Sequence, residues 1–509
     1  MKKYLITILA LGITASMLFG CASGKGEVSS EKTDTLRWLM VGPGQQKDSK
    51  AVWAELNNRI NKEIPNTAIE FEIYSIADYS EKWKLIASAN EKVDLVWSGW
   101  LTDYAGDVER GAYLPLDELI DNYAPKIKEA LPKEMLEAAK IDGKIYMIPH
   151  NQMQVSGTMG IRTHKELSDK YWNAAEAEKV FVRNKTMTQE CYDEIEKYLK
   201  NLKDNGELKK GIGVDTFGWI KNKGFNIFAS DILKIDAEGE NTTVLNAYES
   251  PEEYLYYKTM ADWYKKGYIR KDILSVQNAR QDDGKPDGNI MWYHSLVLKG
   301  DEDLESKRYG FPIEIVSLTD KYSANYGLTG TATSISANSV APQKAIKVLE
   351  LMNTDKGKDF YNLLVYGLEG TNYKKLSDDR IETNGYSGTT TIDAPYGLWK
   401  MAVGNTFLAY ETQADIVGYN DYIKKLNSES PVNWMSGFNF DIRSKKQLLN
   451  RIDAVVKEYS KSLNSGAAPD FEKTYQEMLA KIKSSGVDEI IAEGQKQIDA
   501  FIASKGGAQ

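Results

Sequence analysis

The chain has 509 residues, 42% of them hydrophobic, with 64 basic and 73 acidic side chains and a formal net charge of −9. That length exceeds what one hydrophobic core usually serves, and the mild acidity excludes the clustered basic surface that nucleic-acid binding needs. Three histidines outside any HExxH or CxxC context exclude the usual zinc sites, and two cysteines, Cys21 and Cys191, offer no disulfide framework.

Residues 1–20 read as an export signal. Lys2 and Lys3 supply the positive end, and Tyr4 to Leu18 an apolar stretch too short to span a bilayer comfortably. The stretch ends in Leu18-Phe19-Gly20-Cys21, which resembles the lipobox of bacterial lipoproteins and implies lipid on Cys21. Residues 21–34 are rich in Ser, Gly and charge and cannot bury enough surface to order themselves, so they read as a flexible tether.

Thr35 to Val41 is an unbroken apolar run, the mark of a strand covered on both faces. Asp48 stands at the N-cap of a helix from about Ser49 to Asn61, whose Val52, Leu56 and Ile60 recur every four positions. Ile69, Phe71 and Ile73 alternate with polar residues as a strand does, a helix fits Tyr79 to Asn90, and Val93 to Trp97 is a third strand. This β-α-β-α-β order predicts a parallel, doubly wound sheet with ligands beyond the carboxyl ends of its strands. The loops at those ends carry Gln45 and Gln46, with paired donor and acceptor groups, and Trp97 and Trp100, with flat stacking faces. Neither a GxGxxG fingerprint after the strand nor a P-loop is present.

Two motifs follow: Gly111-Ala112-Tyr113-Leu114-Pro115-Leu116-Asp117, then Asp142-Gly143-Lys144-Ile145-Tyr146-Met147-Ile148-Pro149. Together they resemble the family 1 extracellular solute-binding proteins of bacterial ABC importers. Ser334 to Gly370, and Trp434-Met435-Ser436-Gly437-Phe438-Asn439-Phe440-Asp441 through Glu493-Gly494-Gln495 to Asp499, resemble the LplA-like lipoproteins within that group, which carry an added C-terminal domain of unknown function.

The resemblance implies an α/β, periplasmic-binding-protein-like (type II) two-lobed fold with a hinge and a helical C-terminal extension. The boundaries expected are 35–148 and 310–355 for the N-lobe, 149–309 and 356–430 for the C-lobe, and 431–509 for the extension. It implies a monomer that captures a carbohydrate, usually an oligosaccharide, and passes it to transmembrane permease subunits. The protein would sit on the extracellular face of the bacterial cytoplasmic membrane, anchored through Cys21, with no catalysis, cofactor or metal. A surface glycosidase and a binding protein for a peptide or other non-sugar solute are the competing readings.

Stacking platforms are expected at Trp97, Trp100, Trp292 and Trp399, and hydroxyl partners at Gln45, Gln46, Asn151, Gln152 and Asn405, because a sugar offers a C–H face and a rim of hydroxyls. Gln281 to Gly288 has the look of a calcium loop but lacks the EF-hand spacing and terminal Glu, and reads as a turn. No GxSxG elbow occurs, and Cys191 has no activating histidine in its surroundings in the sequence. In the extension, Leu448, Ile452, Val455, Tyr459 and Leu463 mark one amphipathic helix. Asp470 caps a second with Phe471, Tyr475, Leu479 and Ile482 on one face, Gly486 ends it, and Val487, Ile490, Ile491, Ile498 and Phe501 mark a third. These helices are expected to pack on the hinge side and steady the lobes.

Overall fold

The computed structural model describes residues 33–156, 158–214, 217–276, 282–285, 290–297, 302–320, 323–324, 328–384 and 394–506. The export signal, Cys21 and nearly all of the tether lie outside the described residues, as do Gln281 and 286–289 of the acidic turn.

The chain opens as its pattern predicts: β1 (Asp34–Val41), α1 (Ser49–Glu63), β2 (Thr67–Tyr74), α2 (Ile76–Ser88) and β3 (Leu95–Gly99). Val52, Leu56 and Ile60 turn the buried face of α1 to the sheet. Asp48 occupies the N-cap position but does not cap; its carboxylate instead accepts from Asn372 Nδ2 at 2.8 Å, tying the first loop to a segment more than 300 residues away. After α3 (Tyr104–Glu109), a two-residue hairpin turn puts Asp142 and Gly143 at φ 49° and 80°, the left-handed pair that such a turn requires. It leads into β4 (Ile148–Pro149) and the first exit from the lobe.

β5 (Thr158–His164), α4 (Pro251–Lys266), β6 (Met291–Val297) and β7 (Ile313–Ser317) belong to a second body, where β6, β5 and β7 form an antiparallel sheet with β5 central. The chain then returns to the first body as β8 (Thr331–Ile335) and α5 (Pro342–Asn353), passes through α6 (Tyr419–Glu429), and ends in α7 (Lys446–Asn464), α8 (Phe471–Ser484) and α9 (Val487–Gly506). None of the described helices is long and apolar enough to cross a membrane.

The first sheet has the order β2-β1-β3-β8-β4. β2, β1 and β3 are parallel, with Trp38 opposite both Phe71 and Leu95, but β8 and β4 run antiparallel to their neighbours. The three leading strands are parallel as their order predicts, whereas β8 enters from the other body at the carboxyl end of β3, with Thr331 opposite Gly99, and runs away from that body.

Two large hydrophobic cores stand apart. The first gathers Leu36 to Ile148, Ala332 to Met352 and Tyr361 to Tyr410. The second gathers Ile161 to Leu318 and Met435 to Ile498. The chain thus passes between them within 149–160, 319–331 and 411–434. Three expected boundaries are corrected. Residues 310–320 stay in the second lobe, because β7 pairs with β5. Residues 356–410 belong to the first, where Tyr361, Leu364 and Tyr396 join its core. The C-terminal helices are no separate unit, since Ile452, Tyr475, Met478, Ile482 and Ile490 complete the second core. Asp470 does cap α8, accepting from Lys473 N at 3.1 Å, and Gly486 ends it at φ 97°.

Candidate functional site

The three crossings are laced to one another. His150 N donates to the Thr331 carbonyl at 2.9 Å, and Thr406 N to the Asn151 carbonyl at 2.7 Å. Asn427 of α6 donates to the Gln152 carbonyl and accepts from Gln154 N, both at 2.9 Å. The buried His150 ring spans two segments: its Nδ1 lies 2.8 Å from the Met401 carbonyl and its Nε2 2.9 Å from Thr333 Oγ1. A carbonyl only accepts, so Nδ1 keeps the proton and Nε2 receives the threonine hydroxyl. Burial pulls this imidazole down to about 4, against which the Met401 carbonyl works weakly.

Beyond the carboxyl ends of β1 and β3, the structure separates the predicted residues. Trp100, one residue past β3, is 51% exposed. Trp97, three residues earlier, is fully buried in the first core, packed edge-on against Tyr79 at 5.5 Å and Trp100 at 4.9 Å. It supports Trp100 from behind rather than offering a face of its own, a correction to its predicted role. Trp292 is corrected likewise: at 2% exposure it lies in a small separate cluster with Ile313 and Ile315, beside Tyr309. Trp399 is half-buried against the first core and precedes the turn Lys400–Ala402.

The amides also diverge. Gln45 is exposed. Gln46 Oε1 accepts from Gly397 N at 2.9 Å, which brings this loop to within two residues of Trp399, while its buried Nε2 has no partner. Gln152 Nε2 donates to Thr331 Oγ1 at 2.8 Å and serves the crossing. Asn405 is buried; it caps the turn Thr406–Leu408 by accepting from Phe407 N at 3.1 Å, so its amide is spent on the backbone instead of a ligand. Asn151 and Asn405 line a cavity of about 480 Å³ among the crossings, with Met135, Leu328, Phe407 and Lys424. The nine residues do not form one cluster.

Sequence reasoning overlooked two features. Trp219, 46% exposed on the short turn Phe217–Asn222 beside β6, gives no periodic signal because that turn belongs to no amphipathic element. The segment 439–443 of the extension reaches over to the first lobe: Asn439 Nδ2 donates to the Ala138 carbonyl at 2.8 Å, and Arg443 meets Asp142 at 3.1 Å and Asp441 at 2.6 Å. The guanidinium holds the Asp441 carboxyl below its ordinary range. Lys446, at the start of α7, meets Asp103 at 2.5 Å. Between this segment and Trp100 lies a groove of about 410 Å³, and beside it a cavity of about 1100 Å³ bounded by α2, α3 and α7. Asp107 on α3 is buried there, its carboxyl raised by burial although Trp83 Nε1 donates to it at 2.8 Å. Among the described residues no group of three or more His, Cys, Asp or Glu is placed to hold a metal; Asp282 of the acidic turn instead accepts from Arg270 at 2.7 Å.

Two cores, three laced crossings and a groove between them decide the architecture. The fold is that of the two-lobed solute-binding proteins. Solved structures of that kind superpose over nearly the whole chain. The N-glycan transport solute binding protein (NgtS) from Streptococcus pneumoniae matches with a TM-score of 0.73 at 23% identity, covering 92% of this chain and 99% of the other. The alginate-binding protein AlgQ2 matches with a TM-score of 0.62 at 17% identity, covering 92% and 99%. In sequence, a carbohydrate ABC transporter substrate-binding protein of Streptococcus pneumoniae is 25% identical over 519 residues, covering 99% of each chain. Residues 434–503 match the family described as a domain of unknown function, DUF3502, in the segment where the sequence pointed to it.

Proposed function

We propose that this chain is the substrate-binding component of a bacterial ABC importer, taking up a carbohydrate between its lobes and delivering it to permease subunits. The observation that carries the reading is the half-exposed Trp100, backed by Trp97 at the carboxyl edge of the first sheet, facing a groove whose other wall comes from the second lobe. An indole held by its neighbour suits the C–H face of a sugar ring. The carbohydrate named for the 25% identical relative, and NgtS in complex with Man1GlcNAc and Man5GlcNAc, support an oligosaccharide. Within this reading Trp100 and Trp399 touch the ligand, and Gln46 holds the first loop against Gly397 beside them. Ligand shifts the lobes toward closure only by its preference for the closed state, and that difference is what a permease would read.

The role is binding without turnover, by a monomer held outside the cytoplasmic membrane through lipid on Cys21. A thermal-shift screen against oligosaccharides tests the binding reading, since a ligand of the folded state raises its stability as RT ln(1 + [L]/Kd). No shift with any sugar, or sustained release of cleaved products, would overturn it. Mass spectrometry of the amino-terminal peptide from membrane-extracted protein tests the anchor; an unmodified Cys21 would refute it.

A further inference from the structure

We infer that the groove beside Trp100 is a subsite for an uncharged sugar ring, and that the DUF3502 segment supplies one of its walls. The inference rests on the carbohydrate reading above and deepens it.

Trp100 leaves half its surface to solvent, and the indole of Trp97 stands against it at 84°, so the exposed ring is fixed in place. The groove it borders has about 410 Å³, within the range of small-molecule sites. Facing it are Asn439, Phe440, Asp441 and Arg443. That wall is anchored across the lobe boundary by the Asn439–Ala138 hydrogen bond and the Arg443–Asp142 ion pair. A sugar on Trp100 therefore touches both lobes at once, one of them through the C-terminal domain.

Charge decides the class of sugar. Four ionised side chains border the groove, two of each sign: Lys140, Arg443, Asp142 and Asp441. Arg443 is claimed by both aspartates, and Lys140 Nζ pairs with Glu137 at 2.8 Å. Both cations of this set already face carboxylates of the protein, so a uronic acid here would have to compete with them and would meet two aspartates. An uncharged ring, stacked on the indole and hydrogen-bonded to the rim, fits without disturbing these pairs.

The test is calorimetric titration of the full chain, and of Trp100→Ala, Asn439→Ala and the double variant, with Man5GlcNAc, kestose and an alginate oligosaccharide, following the melting temperature of each variant. The expected result is binding of a neutral sugar, weakened about tenfold by Trp100→Ala and severalfold by Asn439→Ala, with the double variant departing from additivity. Melting temperatures should stay near that of the parent, because both residues are exposed. Neutral binding that all three variants leave unchanged would overturn the subsite and leave the carbohydrate reading standing. Tighter binding of the alginate oligosaccharide would overturn the uncharged class. Failure of the parent chain to bind any of the three sugars would count against the carbohydrate reading, and the subsite would fall with it.

Discussion

Ending the chain after Ser430 removes the whole C-terminal segment, and the structure says what that strips from the second lobe. Tyr475 covers Tyr257 and donates its hydroxyl to the Tyr248 carbonyl at 2.9 Å. The backbone of Gly466 lies against the Met260 carbonyl so closely that an added Cβ would stand 2.0 Å from it, and Gly494 sits on Leu233 and Val244. The segment itself supplies Ile452, Met478, Ile482 and Ile490 to the second core, and losing the burial of four such side chains costs roughly 6–12 kcal/mol at about 1.5–3 kcal/mol each. That matches the ~5–15 kcal/mol by which a domain is normally stable. The truncated second lobe should therefore fail to fold cooperatively while the first lobe, with its own core, persists. Urea unfolding followed by far- and near-ultraviolet circular dichroism should show one surviving transition of reduced amplitude. A truncated protein with the parent's midpoint and amplitude would refute the reasoning, and with it the assignment of these helices to the second core.

Other outcomes follow from single side chains. His150 takes up a proton only near pH 4 when folded but near 6.5 when unfolded, so the unfolded state binds more protons between those values; stability should fall by roughly 3 kcal/mol as pH drops through that window, and His150→Asn should flatten the slope of urea midpoint against pH. Asn427→Ala removes two hydrogen bonds from the first crossing and should cost about 1–3 kcal/mol, with faster amide exchange at Gln154; unchanged exchange would show that the crossing does not depend on it. Trp97→Ala should cost about 3–5 kcal/mol of stability as a core cavity, whereas Trp100→Ala should change stability by less than about 1 kcal/mol. Equal melting temperatures for the two variants would contradict their opposite burial.

Much of the first lobe was legible because α1, β2 and α2 each bury one face, and a one-sided element writes its period into the sequence. β3 is different. Leu95, Val96, Trp97 and Ser98 are all buried, so the strand has no polar face to separate a core indole from a ligand indole. Trp97 and Trp100 look alike in sequence and differ only in whether the strand has ended. Trp292 misled for the same reason, in a strand covered by Ile313, Ile315 and Tyr309. The amphipathic faces of α7 and α8 were correctly placed, yet a helix face does not name the surface that covers it, so their membership of the second core stayed hidden. Residues 356–410 read as part of the C-lobe on the same ground: Tyr361 and Leu364 announce burial without saying beneath which sheet. The segment 439–443 could not be found at all, since its work is done by contacts to Ala138 and Asp142, some 300 positions away.

The threading of the two cores has a consequence in time. The first lobe lacks an inner strand of its sheet until β8 has been made, and its last packing residues arrive near Tyr410. The second waits for Ile498, close to the end of the chain. Synthesis runs from the amino terminus onward, so neither body can settle while the greater part of the polypeptide is still emerging. Whatever handles the nascent chain meets it as an unfinished thread, because the second core lacks Ile490 and Ile498 until α9 is made.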